Sequence, residues 1–448
     1  MRINPRYLLT ILAIVLVASC RSPTAEPGEA ALAQFHPVAA PPASTLLLRP
    51  GDRLAICGDS ITEQKMYSRL IEDYLTMCVP QLGVSVRQYG WGGERTGGFR
   101  ARMTNDCLRF QPTLATTCYG MNDHEYRPYE ERIGRTYRDE SRAVVQAFKA
   151  HGARVVLGSP GCVGKVPRWT RFTNSTVLDL NLNLCTLRNI ALEVAQQEQV
   201  AFADVFWPML TADAAARKRF GPDFAVAGRD GVHPDWAGHG IMAYAFLKAL
   251  GLRGDLATFT VDLRRNTLQT SEGHTVLDTR PGAFVIRSTR YPFCVCAPAG
   301  AAAAGYPECG PDDLGKDSSL RAGLSLVPFD AELNRFLLVA KNTRAARYRV
   351  TWGSETRSFT AAQLRRGINL AAEFRLNPFS APFARVDGAV AAKQAFETKQ
   401  VKQIFHGAEG KSDFAGAVAR TEAERASLVE AIKAAFQPVT HTLAIAPE

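Results

Sequence analysis

Short apolar runs alternate with longer amphipathic stretches over the first half of the chain. The runs at 54–57, 84–88, 114–118, 154–158 and 200–204 are brief and bounded by turn residues, which predicts strands. Between them, 63–78, 133–151 and 176–197 carry apolar residues at helical spacing, and 236–250 closes the series. This rhythm predicts a parallel sheet with helices on both faces, a three-layer α/β/α domain. Such sheets gather functional residues at the carboxyl ends of their strands. From about residue 254 strand-like segments replace the alternation, at 258–263, 284–288, 336–340 and 348–352, with Gly353-Ser354 marking a hairpin. A smaller β-rich unit of sandwich type is expected there. The tail from about 386 is charged and helical in pattern, including 415–436. The expected organisation is therefore an α/β domain over 48–252, a β-rich accessory domain over 253–385 and a helical segment over 386–448.

The chemistry-bearing residues stand where these strands end. Gly58-Asp59-Ser60-Ile61-Thr62 follows the first apolar run, and Asp230-Gly231-Val232-His233-Pro234 lies far downstream. A serine at a strand exit, met by an Asp and a His three residues apart, supplies nucleophile, base and orienter for acyl transfer. Two further blocks fall at strand exits: the glycine-rich Gln88-Tyr-Gly-Trp-Gly-Gly-Glu-Arg-Thr-Gly-Gly98, and Gly120-Met121-Asn122-Asp123. Each block alone is a common turn or cap signal. Their order and their shared place at strand exits make coincidence a poor explanation.

With these four blocks in this order, the chain resembles the GDSL, or SGNH, hydrolase family over roughly residues 52–250. The resemblance implies the three-layer fold and a serine esterase chemistry without cofactor or metal. It implies Ser60 as nucleophile, His233 and Asp230 as the rest of a triad, and Ser60, Gly93 and Asn122 as oxyanion-hole donors. One departure is visible, since Gln88 stands where the second block often opens with Asn. Asp59, Trp91, Tyr119, His124 and Trp236 lie close to the blocks and are candidates for contacting substrate.

The first twenty residues read as a targeting segment. Arg2 and Arg6 precede an apolar stretch over 8–17 that is too short to span a bilayer. It ends in Val17-Ala18-Ser19-Cys20, which looks like a bacterial lipobox with Cys20 as the lipidated residue; a plain secretory signal is the alternative. Residues 21–47, rich in Ala and Pro, read as a flexible tether. An exported, lipid-anchored protein of a bacterial cell envelope is expected. The chain has 448 residues, 46% hydrophobic and 21% charged, with a net charge of +10. The basic residues are scattered and no nucleic-acid motif accompanies them. If the charge has a function, an anionic polysaccharide or a membrane surface fits an exported protein better than nucleic acid. Ten cysteines are present, and the export compartment permits a disulfide among Cys294, Cys296 and Cys309. Cys78 with Cys107, and Cys162 with Cys185, are further possible pairs. Cys294-x-Cys296 lacks the histidine or second cysteine pair of a metal site.

The expected function is hydrolysis of short acyl esters, acetyl above all, on carbohydrate. The expected partners are an acylated polysaccharide or small ester and, through the anchor, a membrane. Two other enzyme readings stand beside it, a lipase or phospholipase and an O-acyltransferase. A glycan-binding surface lipoprotein with an inactive hydrolase domain is the alternative from another class. Trp352 and Tyr348 admit two readings, as core of the β-unit or as a sugar-stacking surface.

Overall fold

The computed structural model describes residues 32–42, 45–301, 305–310 and 312–448. The expected leader over 1–20, its Cys20, and positions 21–31 and 43–44 of the expected tether lie outside the described residues. The chain divides into two units, Met1–His36 and Pro37–Glu448, and every sheet belongs to the second.

Five parallel strands form its first sheet: β1 (Arg53–Gly58), β2 (Ser85–Gln88), β3 (Leu114–Cys118), β4 (Arg154–Gly158) and β5 (Ala201–Ala203), in the order β2-β1-β3-β4-β5. Every residue of β3 is buried, as expected for a strand covered on both faces. Helices flank the sheet in a three-layer α/β/α arrangement. Glu131–Ala150 turns Ile133, Tyr137, Val144, Val145 and Phe148 inward. Val177–Gln197 starts with a capping box between Thr176 and Asp179. A short helix, Ser60–Glu63, begins directly after β1, and Trp236–Ala249 closes the layer.

Two antiparallel-rich sheets follow. β6 (Asp255–Asp262), β7 (Thr267–Thr270), β10 (Arg335–Lys341) and β13 (Ile368–Asn369) make one, in the order β13-β10-β6-β7. β8 (His274–Arg280), β9 (Ala283–Ser288), β11 (Arg347–Trp352), β12 (Glu355–Thr360) and β14 (Val439–Pro447) make the other, in the order β12-β11-β14-β9-β8. Strict alternation buries Phe259, Phe336 and Leu338 of the first sheet and Trp352, His441 and Leu443 of the second, with Phe259 against His441 and Phe336 against Trp352. Trp352 and Tyr348 are thus core residues, both buried. The turn between β11 and β12 is Gly353-Ser354, at the expected hairpin.

A buried polar chain runs through this interior. Trp352 Nε1 donates to His441 Nδ1 at 3.1 Å, His441 Nε2 meets Ser288 Oγ at 2.9 Å, Ser288 Oγ meets His274 Nδ1 at 2.8 Å, and His274 Nε2 meets Leu256 O at 3.1 Å. The Trp352 indole N–H only donates and the Leu256 carbonyl only accepts, so each ring between them receives one proton and gives one, and both imidazoles are neutral in this order. Burial pushes them down accordingly, His441 to about 3 and His274 to about 4.

The C-terminal segment departs from the expected all-helical tail. Its last strand, β14, lies in the centre of the second sheet, because Val439, His441, Leu443 and Ile445 alternate inward. Its helices, Ser380–Lys399 and Phe414–Ala435, lie along the edge strand β2. The free backbone of β2 is satisfied by their side chains: Val86 O accepts from Lys393 Nζ at 2.6 Å and from Arg425 Nη2 at 2.9 Å, and Gln88 N donates to Glu397 at 3.1 Å. Burial would raise the Glu397 carboxyl, but Lys393, Arg425 and Arg87 hold it below its ordinary value. One disulfide forms in the predicted region, Cys296–Cys309, while Cys78, Cys107 and Cys294 are buried thiols. Among the described residues no helix is long and apolar enough to cross a membrane.

Candidate active site

The exit of β1 sets the site. Asp59 is extended and buried, and its carboxylate accepts from Ile61 N at 3.0 Å, which caps the helix Ser60–Glu63. Ser60, first residue of that helix, therefore stands at the sheet edge. Its Oγ lies 2.8 Å from His233 Nε2. His233 Nδ1 lies 2.7 Å from Asp230 Oδ2, while Asp230 Oδ1 accepts from Val232 N at 2.9 Å and His233 N at 2.8 Å. A carboxylate only accepts, so it fixes the proton on Nδ1 and leaves Nε2 to take one from the serine. Burial would raise the Asp230 carboxyl, but the bonds from the His233 backbone and ring and from Val232 N hold it below its ordinary value. The loop turns at Gly228, with φ +82°, where a Cβ would come within 1.7 Å of His233 O. Gln64 Nε2 donates to Pro234 O at 3.3 Å, and Gln64 Oε1 meets His239 Nε2 at 3.1 Å, which ties the base to the far end of the serine helix.

Three donors come from the exits of three neighbouring strands. Ser60 N–H is the first of its helix and has no partner within it. Gly93 follows β2 with φ +73° and is exposed. Asn122 follows β3, and its Oδ1 accepts from Tyr126 Oη at 3.2 Å while Nδ2 donates to Glu94 O at 3.1 Å, leaving a second amide proton. The glycine loop is held from several sides. Trp91 N donates to Gly58 O at 3.0 Å, and Gly90 N to Gln88 Oε1 at 2.9 Å. Gly92 N donates to Glu63 Oε2, and Glu63 Oε1 is 2.5 Å from Lys402 Nζ of the C-terminal segment. Arg102 meets both oxygens of Glu94 at 2.6 and 2.7 Å. Such an arrangement can deprotonate Ser60 and offers donors to a developing oxyanion.

Residues 56–241 match the GDSL-like Lipase/Acylhydrolase family model. This domain is a GDSL-like acylhydrolase. It is accordingly a carboxylic ester hydrolase. An acetylxylan esterase of Geobacillus stearothermophilus is 24% identical over 218 residues, which cover 45% of this chain and 94% of the esterase. Among solved structures, a gut microbial diltiazem-metabolizing enzyme is 21% identical and covers 91% of this chain and 100% of its own, with a TM-score of 0.70. The fold, the β-rich part included, is thus shared well beyond the acylhydrolase domain. A putative GDSL-like lipase from Parabacteroides merdae is 20% identical and covers 46% of this chain and 99% of its own, with a TM-score of 0.39.

Of the five aromatic and polar candidates around the blocks, Asp59, Tyr119, His124 and Trp236 are buried and Trp91 is partly exposed. Asp59 is buried as a cap, and burial together with Asp123 and Glu94 pushes its carboxyl up to about 7. Tyr119 is buried with its hydroxyl on Glu94 Oε2 at 2.8 Å. His124 is fully buried against Tyr126, and burial pushes it down to about 4. Trp236 donates its indole N–H to Gly305 O at 3.1 Å and packs on Tyr306. Trp91 stands edge-on to His406 at 5.0 Å, with Lys402 and Arg102 over its ring. The walls of the neighbouring cleft, about 490 Å³, come instead from Gly93, Asn122, Tyr126, Trp169, Arg171 and Phe172. Trp169 lies 5.8 Å from the His233 ring and edge-on to Tyr126 at 6.0 Å. Trp169, Tyr126, Glu63 and Lys402 carry no motif, and only their positions in the fold reveal them. Among the described residues no group of three or more His, Cys, Asp or Glu is placed to hold a metal ion.

Proposed function

We propose that this enzyme removes short acyl groups, chiefly acetyl, from carbohydrate esters. Ser60 attacks the ester carbonyl, His233 takes its proton and returns it to the leaving sugar hydroxyl, and Asp230 orients His233. Ser60 N–H, Gly93 N–H and Asn122 Nδ2 receive the oxyanion. Water, activated by His233, then releases acetate from the acyl-enzyme. The observation that carries this reading is the unbroken hydrogen-bond chain Ser60–His233–Asp230, at 2.8 and 2.7 Å.

The carbohydrate part rests on the cleft. Its aromatic, amide and guanidinium walls suit stacking and hydrogen bonding to a sugar better than they suit a long acyl chain. The similarity to an acetylxylan esterase points the same way. We further propose export and a lipid anchor on Cys20, on the strength of the lipobox-like Val17-Ala18-Ser19-Cys20. Two experiments test these statements. Acetate release from acetylated oligosaccharides is compared with turnover of esters from acetyl to palmitoyl; preference for palmitoyl would replace the carbohydrate reading with a lipase. Palmitate labelling of the full chain and of Cys20→Ala tests the anchor, which an equally unlabelled pair would remove.

A further inference from the structure

We infer that the glycan recognised beside Ser60 is anionic, and that the loop between β4 and the helix Val177–Gln197 reads its charge. The inference rests on the carbohydrate-esterase reading above and adds the substrate's chemical class.

Residues 159–176 contain Lys165, Arg168 and Arg171 and no Asp or Glu. The same loop carries Trp169 and Phe172, 48% and 37% exposed, two of the few large apolar side chains that are exposed among the described residues. The loop is pinned over the reactive groups at two points. Gly164 N donates to Gly231 O at 2.9 Å, inside the Asp230–His233 turn, and Thr170 Oγ1 donates to Tyr126 O at 3.1 Å. Lys165 lies against Gly231, so that a Cβ there would meet its Cγ at 2.4 Å. Arg171 and both exposed rings line the cleft that holds Gly93 and Asn122. A second cleft of about 790 Å³, which includes Gly228 and Arg229 just before Asp230, is lined by Lys165, Arg217, Arg229 and Lys316, with Asp223 and Asp317 as its acids.

Some cations around these clefts are neutralised by carboxylates. Arg217 is paired with Asp213, and Arg95 and Arg132 with Glu125. Among the described residues, Lys165, Arg171, Arg229 and Lys316 of these clefts, and Arg168 next to Trp169 in the loop, have no carboxylate at ion-pair distance. Unpaired cations at the mouth of a reactive cleft concentrate anions there, and a guanidinium grips a carboxylate or sulfate in two-pronged fashion. Trp169 and Phe172 supply the stacking faces such a sugar needs. The reaction is ordinary ester hydrolysis: the acyl C–O bond breaks, the sugar oxygen leaves and takes a proton, water's oxygen bonds to the acyl carbon, and the products are acetate and the acidic sugar. A membrane surface is the less fitting ligand, because Lys165, Arg171, Arg229 and Lys316 line clefts rather than a flat face.

The test uses matched pairs. Rates of acetate release are measured on acetylated oligogalacturonate and on the same material with its carboxyls reduced, and on acetylated dextran sulfate and acetylated dextran. The charged member of at least one pair is expected to show about ten-fold higher kcat/KM at low salt, with the advantage collapsing near 0.5 M NaCl. Preference confined to one pair identifies carboxylate or sulfate as the group read. Arg168→Gln with Arg171→Gln should reduce the charged-to-neutral ratio several-fold. Equal rates within both pairs, or an advantage indifferent to salt and to the double variant, would overturn the inference. So would tight binding to phosphatidylglycerol vesicles with no binding of deacetylated oligogalacturonate or dextran sulfate. The binding measurements need no turnover, and Ser60-dependent hydrolysis of p-nitrophenyl acetate judges the esterase reading by itself.

Discussion

Substituting Glu63 by Ala isolates the support of the glycine loop. Its Oε2 accepts Gly92 N–H, one residue before Gly93, and its Oε1 holds Lys402 at 2.5 Å. A hydrogen bond to a charged acceptor contributes about 1.5–3 kcal/mol, and both side chains here are about a quarter exposed, so the lower end applies. Complete loss of one oxyanion donor lowers turnover about 10²–10³-fold. The loop keeps its ties from Trp91 N to Gly58 O, from Gly90 N to Gln88 and from Asn122 to Glu94 O. Displacement of Gly93 is therefore partial, and a fall in kcat of roughly 10- to 100-fold is expected, with KM little changed. Glu63→Gln keeps an acceptor for Gly92 N–H and should recover most of the loss, and Lys402→Met should cost only a few-fold. Steady-state kinetics on p-nitrophenyl acetate, with thermal melts to confirm folding, read the outcome. A folded Glu63→Ala enzyme with wild-type kcat would refute the claim that this contact positions the donor.

Gly228→Ala sets a Cβ 1.7 Å from His233 O at φ +82°, so activity should fall at least about 100-fold with a stability loss of about 1–3 kcal/mol; kinetics and denaturant melts check both, and an active, stable variant contradicts the geometry. Removing the Cys296–Cys309 bridge by paired Ser substitutions should cost roughly 2–3 kcal/mol for a closed loop of this length, seen as a lower unfolding midpoint. Asp59 has its folded carboxyl raised to about 7 from 3.8, so its contribution to stability is fully present below 3.8 and is lost as pH rises through about 7. Asp59→Asn can still cap the helix. Its melting temperature relative to wild type should therefore climb between pH 5 and pH 8, and a pH-independent difference would show that the carboxyl is not perturbed.

Local signals announced much of the molecule and distant contacts the rest. β3 and β4 coincide with apolar runs whose ends are marked by turn residues, and the helix Glu131–Ala150 follows its 3.6-residue pattern. Ser60, Asp230 and His233 were legible because each sits in a short motif and two of them are three residues apart. β14 was hidden by its neighbour: the charged helix pattern up to 436 masked the alternation of Val439, His441, Leu443 and Ile445. Trp91 and Trp236 stand out by their closeness to motifs, yet Trp91 packs edge-on to His406 and Trp236 against Tyr306, and neither contact is visible from spacing. Trp169 sits in an aperiodic loop, so only the return of that loop over His233 reveals it. Gln88, in place of the usual Asn, caps Gly90 N and reaches Gln394 and Thr398, partners about three hundred residues away.

The most direct test is the dependence of ester turnover on Ser60. Wild type and Ser60→Ala are assayed side by side on p-nitrophenyl acetate, and the wild-type protein is treated with a fluorophosphonate and digested for mass spectrometry. Ser60 and His233 at 2.8 Å require that acetate release vanish to background in the variant and that the label sit on the peptide containing Ser60. Undiminished turnover by Ser60→Ala, or a label carried by another residue, would contradict the assignment of Ser60, His233 and Asp230 as the reactive set.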